Sequence, residues 1–262
     1  MTLRHLKLTG FALALLLTMT LAVNAKSATG TFATPDVVGS FATPFPAGQP
    51  RVINIRRAAR LLDATVIQPG ARFSMNWALG PRTRARGFVP APMISGGRLV
   101  DSVGGGISQV ATTLYNAAFF SGLQLVAHTP HSFYISRYPM GREATISWGG
   151  PELIFVNNWP APLRMHLTVR ADNIAVRFYS KRLGRHIVSW TGHPYGFRQP
   201  TTRVVHNPGL PAGTRRVVQE AGPAGFTIEY GRRVYKRGHL TSNEQWRVVY
   251  QPEDRVIEVG TR

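Results

Sequence analysis

Between residues 107 and 121 the apolar residues Ile107, Val110, Ala111, Leu114 and Ala118 fall at i, i+3, i+4, i+7 and i+11. That is the repeat of a helix with one buried face. Gly122 follows in the usual helix-stop position, and Gly104-Gly105-Gly106 leads in. A shorter helix is predicted after Asn54, which can cap it, with Ile55, Ala58, Ala59 and Leu62 on one face. Downstream of Gly122 the period falls to two. Leu163, Met165, Leu167 and Val169 alternate with Arg164, His166, Thr168 and Arg170. Ile174, Val176 and Phe178 resume the alternation after an Asp172-Asn173 turn, which predicts a half-buried hairpin. Residues 65–67, 123–127, 133–136, 144–148 and 153–156 are further candidate strands, the first ended by the Pro69-Gly70 turn. Arg82, Arg84 and Arg86 alternate with other residues, which predicts three cations on one side of an extended segment.

The same pattern divides the chain. Residues 26–50 are rich in Ala, Thr, Gly and Pro, contain FATP twice, and read as a linker or edge segment. Residues 181–202 lose periodicity and gain Gly, Pro, His and Arg, which predicts a linker. Residues 203–262 return to short strands (225–230, 234–236, 245–250 and 255–259) and read as a separate all-β unit. At the start, Arg4, His5 and Lys7 precede an uncharged apolar run over 8–23, and Val23-Asn24-Ala25 offers small residues for cleavage. This is the layout of an export signal over residues 1–25. The run is shorter than the ~20 residues needed to cross a bilayer, which favours cleavage over anchoring. The folded part is therefore expected outside the cytoplasm, with at most peripheral membrane attachment.

Composition sharpens this reading. The chain has no cysteine, which excludes disulfides, thiolate catalysis and cysteine-ligated zinc. Its formal net charge is +19, or +17 without the first 25 residues, and only Lys7, Lys26, Lys181 and Lys236 are lysines. An arginine-rich surface of this charge attracts polyanions, and its planar guanidinium forks pair with phosphate or carboxylate. An exported protein seldom meets nucleic acid, so anionic wall polymers, acidic glycans or lipid headgroups are the expected partners. A basic surface that is merely solvated is the alternative.

Gly104-Gly105-Gly106-Ile107-Ser108-Gln109 carries the candidate chemistry. Glycines permit close backbone approach, and a helix N-terminus offers free N–H groups to an anion or oxyanion. Ser108 in the first turn and His131 in the 128–133 loop form a candidate nucleophile and base. The same residues also fit a serine that only caps its helix and a histidine that only fills a loop. His128 and His131 are three residues apart without an HExxH or other ligand frame, so neither a metal nor another cofactor is expected.

The stretches GGGISQVATTLYNAAFFSGL and HTPHSFYISRYPMGREATISWGGPELIFVNN, preceded by INIRRAARLLDATVIQPGARFSMN and GPRTRARGFVPAPMISGG, resemble the core of the VanW family over residues 51–180. The spacing of Gly213, Gly222, Gly225, Gly238 and Gly260 resembles a G5 domain over 203–262. The first resemblance implies a bacterial protein related to a member of a glycopeptide-resistance gene cluster. The second implies association with cell wall or glycan. Many VanW relatives have cysteine where this chain has Ser108. Together these readings imply an α+β VanW-like domain, with a helix entered by a glycine-rich loop and packed on antiparallel strands, followed by a small all-β G5-like domain. The function they imply is a secreted protein that binds peptidoglycan or an attached anionic polymer. Gly104, Gly105 and Gly106, Arg82, Arg84 and Arg86, and Arg232-Arg233 with Lys236-Arg237 are the expected contacts. The alternative is a wall-modifying hydrolase or transpeptidase. Its nucleophile would be Ser108, its base His131, and its orienting acid Glu143, with Gln109 or the glycine-loop amides at the oxyanion. A scaffold without ligand is a third reading.

Overall fold

The computed structural model describes residues 36–95 and 98–262. The predicted export signal over residues 1–25 and residues 26–35 of the segment after it lie outside the described residues. The described chain is mostly β, more so than the α+β expectation. It runs β1 (Asp36–Pro44), α1 (Arg51–Leu62), β2 (Val66–Ile67), β3 (Arg72–Ser74), α2 (Met75–Leu79), β4 (Pro90–Ser95), β5 (Arg98–Val103), α3 (Ser108–Phe120), β6 (Gln124–Ala127), β7 (Ile154–Val156), β8 (Leu163–Val169) and β9 (Asn173–Ser180). It continues through β10 (Arg185–Thr191), β11 (Tyr195–Arg198), β12 (Thr202–Asn207), β13 (Arg215–Gln219), β14 (Gly225–Lys236), β15 (His239–Tyr250) and β16 (Arg255–Gly260).

Helix α3 sits at the centre. Every residue from Gln109 to Phe119 is buried, so the helix has no solvent face. A helix buried on all sides must satisfy its polar side chains inside the protein. The sheet ordered β1-β9-β8-β2 covers one side of it. Residues 36–44 of the predicted linker or edge segment form β1, the strand at the end of that sheet, where Thr43 and Thr113 hydroxyls meet at 2.6 Å. The predicted hairpin is β8–β9, with Leu163, Met165, Leu167, Ile174, Val176 and Phe178 turned into the core.

Asn54 does not cap α1. The helix begins at Arg51, and Asn54 lies buried inside it. Its amide donates to the carbonyls of Val89 and Gly105, each at 2.9 Å, and its oxygen accepts from the Val89 N–H at 2.8 Å. These bonds tie the glycine loop to the start of β4. Residues 133–136 and 144–148, expected as strands, lie in the long irregular segment between β6 and β7. Its backbone is held by side chains instead of a ladder. Thr112 Oγ1 accepts from the Ala144 N–H at 3.1 Å, and Asn116 donates to the Arg142 carbonyl at 2.7 Å while accepting from Arg142 Nε at 3.1 Å. Gln109, Thr112 and Asn116 recur at i, i+3 and i+7, so one stripe of the helix is polar and serves this loop.

The predicted linker at 181–202 is largely strand. Strands β10 and β11 pair with successive stretches along one edge of β14, whose other edge pairs with β15. Nor is the C-terminal part separate. Phe226, Ile228, Tyr230, Val248 and Tyr250 belong to the same hydrophobic cluster as α3. Tyr230 shares a 2.7 Å hydrogen bond with Tyr115 and a 3.0 Å hydrogen bond with His128. The final strands form a smaller sheet in which β16 lies parallel to β12 and antiparallel to β13.

Candidate active site

The three glycines are required by contact. Gly104 and Gly106 have φ of 88° and 86°, a conformation that side chains resist. A Cβ on Gly105 would lie 2.0 Å from the Ala91 carbonyl oxygen, and one on Gly106 would lie 2.6 Å from Arg51 Cβ. The loop can thus lie flat against β4 and α1 and deliver Ser108 as the first residue of α3. Ile107 holds the cap position and no side chain caps the helix, so Ser108 does not serve as the N-cap. The Gly104 and Gly105 N–H groups are already bonded to Val89 and Ser102. Among the described residues, those of Gly106 and Ser108 have no backbone or side-chain acceptor. They are the two free donors beside the Ser108 hydroxyl.

His131 is 8 % exposed, and Glu143 is fully buried. His131 Nδ1 meets Glu143 Oε2 at 2.5 Å. The other carboxylate oxygen, Oε1, accepts the Tyr250 hydroxyl at 2.5 Å. The Tyr250 oxygen in turn accepts the Gly141 N–H at 2.8 Å. Burial and the adjacent Glu143 carboxylate hold the Tyr250 phenol far above its ordinary range, so it stays protonated and donates. With Nδ1 engaged, Nε2 is the nitrogen left for chemistry, and it has no partner among the described residues.

The Tyr138 ring stacks on His131 with centroids 5.6 Å apart, and its hydroxyl donates to Gln109 Oε1 at 3.1 Å. Burial pushes that phenol up to about 12. Gln109 Nε2 is bonded to Thr43 Oγ1 at 2.5 Å and to the Pro44 carbonyl at 3.2 Å. Gln109 is therefore fully engaged and cannot serve an oxyanion. It holds the ring that packs on His131.

Ser108 and His131 line one cleft of about 610 Å³, together with Arg51, Arg137, Tyr138 and Thr145. Ser108 also lines an adjoining cleft of about 210 Å³ with Gly104–Gly106, Arg82, Ser147 and Trp148. Arg51 Nε and Nη2, Arg82 Nη2 and Thr145 Oγ1 are buried without a hydrogen-bond partner. Unmatched buried donors in a cleft mark places where a ligand completes the bonding. The exposed Trp148 meets the exposed Trp77 edge-on at 6.4 Å, beside the smaller cleft.

The arginine clusters differ from expectation. Arg84–Arg86 forms a 3-10 turn instead of an extended segment, so the three arginines do not share one side. Arg82 lines the smaller cleft, and Arg86 packs against Gly80. Arg232 cannot contact a polymer, because it is fully buried. It donates to the carbonyls of Phe119 and Leu123, each at 2.5 Å, and pairs with Glu244 Oε2 through Nη2 at 2.8 Å and Nε at 3.0 Å. It satisfies carbonyls at the C-terminal end of α3, where a cation also complements the helix dipole. Its neighbour Arg233 is exposed, as are Lys236 and Arg237.

Residues 50–179 match the family described as VanW like protein, and residues 198–262 match the G5 domain. The chain thus carries a VanW-like domain followed by a G5 domain. It is 38 % identical over 144 residues to the uncharacterized protein YoaR of Bacillus subtilis, a match over 55 % of this chain and 48 % of the relative. The chain thus spans about half the length of that curated relative. Among solved structures it is similar to the IgA1 protease G5 domain, with 24 % identity over 30 % of this chain and 93 % of that one and a TM-score of 0.18. It is also similar to the G5 domain of HP0197, with 16 % identity over 29 % and 95 % and a TM-score of 0.16.

Proposed function

We propose that this is a cell-envelope acyl-transfer enzyme that acts on a peptide or amide bond of the wall. The carrying observation is the buried Glu143 carboxylate 2.5 Å from His131 Nδ1, behind a cleft that Ser108 also lines. A carboxylate in that position fixes the tautomer and orientation of the imidazole and stabilises its cation. In the proposed step, Ser108 Oγ attacks the substrate carbonyl and its proton passes to His131 Nε2. The carbonyl oxygen gains the negative charge within reach of the Gly106 and Ser108 N–H groups. The C–N bond then breaks, and the leaving amine takes the proton from His131. Water or a second amine resolves the acyl-serine, through hydrolysis or transpeptidation respectively. Serine needs stronger activation than the cysteine of many relatives, and the buried carboxylate supplies it.

Retention at the wall is assigned to the basic surface and the G5 domain, which agrees with a net charge of +17 without the first 25 residues. Turnover of defined muropeptides tests the catalytic reading. Ser108→Ala and His131→Ala are each expected to abolish turnover; the melting temperature stays nearly unchanged in Ser108→Ala and falls in His131→Ala, which leaves the buried Glu143 without its imidazole partner. Wild-type turnover that persists in both variants removes these residues from the mechanism.

A further inference from the structure

Arg51 is the least satisfied charged group in the larger cleft. Its Nε and Nη2 are buried and have no hydrogen-bond partner. Its side chain lies directly against Gly106, two residues before Ser108, where an added Cβ would meet Arg51 Cβ at 2.6 Å. Arg137 lines the same cleft from the irregular segment, and no Asp or Glu is among the lining residues. The carboxylate behind His131, Glu143, is committed to His131 and Tyr250, and Glu152, next to the lining residue Pro151, is bonded to Ser74 and Asn76. Desolvation, and then the charge of Arg137, pull the Arg51 guanidinium below its ordinary range. Two cations face one space with no protein anion between them. A buried guanidinium edge without a partner is costly unless an anion meets it, and its fork matches a carboxylate.

We infer that Arg51 and Arg137 form a carboxylate subsite for the free C-terminus of the peptide whose last amide bond reacts at Ser108. The inference rests on the acyl-transfer reading and specifies its substrate class. The contact of Arg51 with Gly106, and the cleft it shares with Ser108, favour a C-terminal residue as the leaving group. Arg51 borders the glycine loop that enters Ser108, so a carboxylate held there lies close to the scissile carbonyl. A cleft of about 610 Å³ accommodates a short peptide. The bond broken is the one to the terminal residue, which departs as a free amino acid still carrying the bound carboxylate. Its amine receives the proton from His131.

The test measures binding, so it stands apart from turnover. The full chain carrying Ser108→Ala is titrated calorimetrically with a peptidoglycan stem tetrapeptide ending in D-alanine, as the acid and as the C-terminal carboxamide. The acid is expected to bind about tenfold or more tightly than the amide. Adding Arg51→Gln is expected to erase that preference, and Arg137→Gln, at an exposed position, to reduce it. Circular dichroism checks each variant's fold, and Arg137→Gln still decides the matter if Arg51→Gln does not fold. Equal affinity for acid and amide overturns the subsite. So does glycerol phosphate that binds more tightly than the peptide acid, which would make the anion a phosphate. If the acid preference holds but the wild-type chain never cleaves the peptide, the subsite stands and the acyl-transfer reading falls.

Discussion

Tyr250, near the end of the chain, donates its hydroxyl to Glu143 Oε1 at 2.5 Å, so a G5-domain residue stands behind the VanW-domain histidine. The relay runs Tyr250, Glu143, His131, and its first member comes from a different domain match than the other two. Tyr250→Phe removes the donor while keeping the ring. It is expected to cost about 1.5–3 kcal/mol of stability, as befits a lost hydrogen bond to a buried charge. If Tyr250 positions the relay, kcat falls while KM stays near the wild-type value, because the substrate cleft itself is untouched. A variant with reduced stability but wild-type kcat would give Tyr250 a structural role alone.

Arg232 joins the two domains by its bonds to the end of α3 and to Glu244. Arg232→Met would strand Glu244 and two carbonyls. Removing one partner of such a pair costs about 3–5 kcal/mol. The exposed Arg233→Gln is expected to change stability by less than about 0.5 kcal/mol. Denaturant midpoints for the two variants measure the contrast, and equal midpoints would contradict the buried placement of Arg232.

Gly105 has no room for a methyl group, since the obstacle at 2.0 Å is the backbone oxygen of Ala91. Gly105→Ala must push the loop from β4 and break its bond to Asn54. A loss of about 1–3 kcal/mol or more is expected, as in other overpacked sites, with a larger fractional loss of turnover than of stability. Asn54→Ala should produce the same pattern from the other side of the contact. Wild-type stability in Gly105→Ala, measured by thermal unfolding, would refute the packing.

His128 supplies a pH signature. It is stacked on Tyr115 at 4.3 Å, and burial lowers it from its model-peptide value of 6.5 to about 4. The folded protein therefore favours the neutral ring, whereas the unfolded chain takes a proton below about 6.5. The contribution is fully present above 6.5 and is lost progressively as the pH falls toward 4, for a total of about 3 kcal/mol. His128→Gln should flatten this part of the stability profile. An unchanged slope between pH 6.5 and 4 would show that His128 is not the group responsible.

The sequence revealed local periodicity and missed what depends on distant partners. The apolar repeat located α3 and the alternation located β8–β9, because each pattern is a property of a few consecutive residues. The same repeat concealed that α3 is buried on every side. Its polar residues Gln109, Thr112 and Asn116 carried a usable signal, since their helical spacing on an otherwise apolar helix called for buried partners. Arg84 and Arg86 were misplaced because alternation with small residues also fits a 3-10 turn. Residues 185–191 lacked strand periodicity because the half-buried face carries Arg185, Ile187 and Ser189 and the exposed face His186, Val188 and Trp190, so polarity does not follow burial. Ser108, His131 and Glu143 were legible as types within one stretch. Arg51 and Tyr138 were not, because nothing local distinguishes an arginine or a tyrosine that turns into a cleft. Tyr250 lies 107 residues from Glu143, and no pattern in the sequence links them.

Capture of the covalent intermediate tests the central claim most directly. The full chain is mixed with a stem-peptide substrate, quenched in acid within one turnover, and digested for mass spectrometry. The account predicts an acyl adduct on the peptide containing Ser108, with the mass of the donor after loss of its leaving amine. The adduct should be absent from Ser108→Ala and scarce in His131→Ala. Turnover with no adduct on Ser108, or with an adduct on another residue, would contradict it.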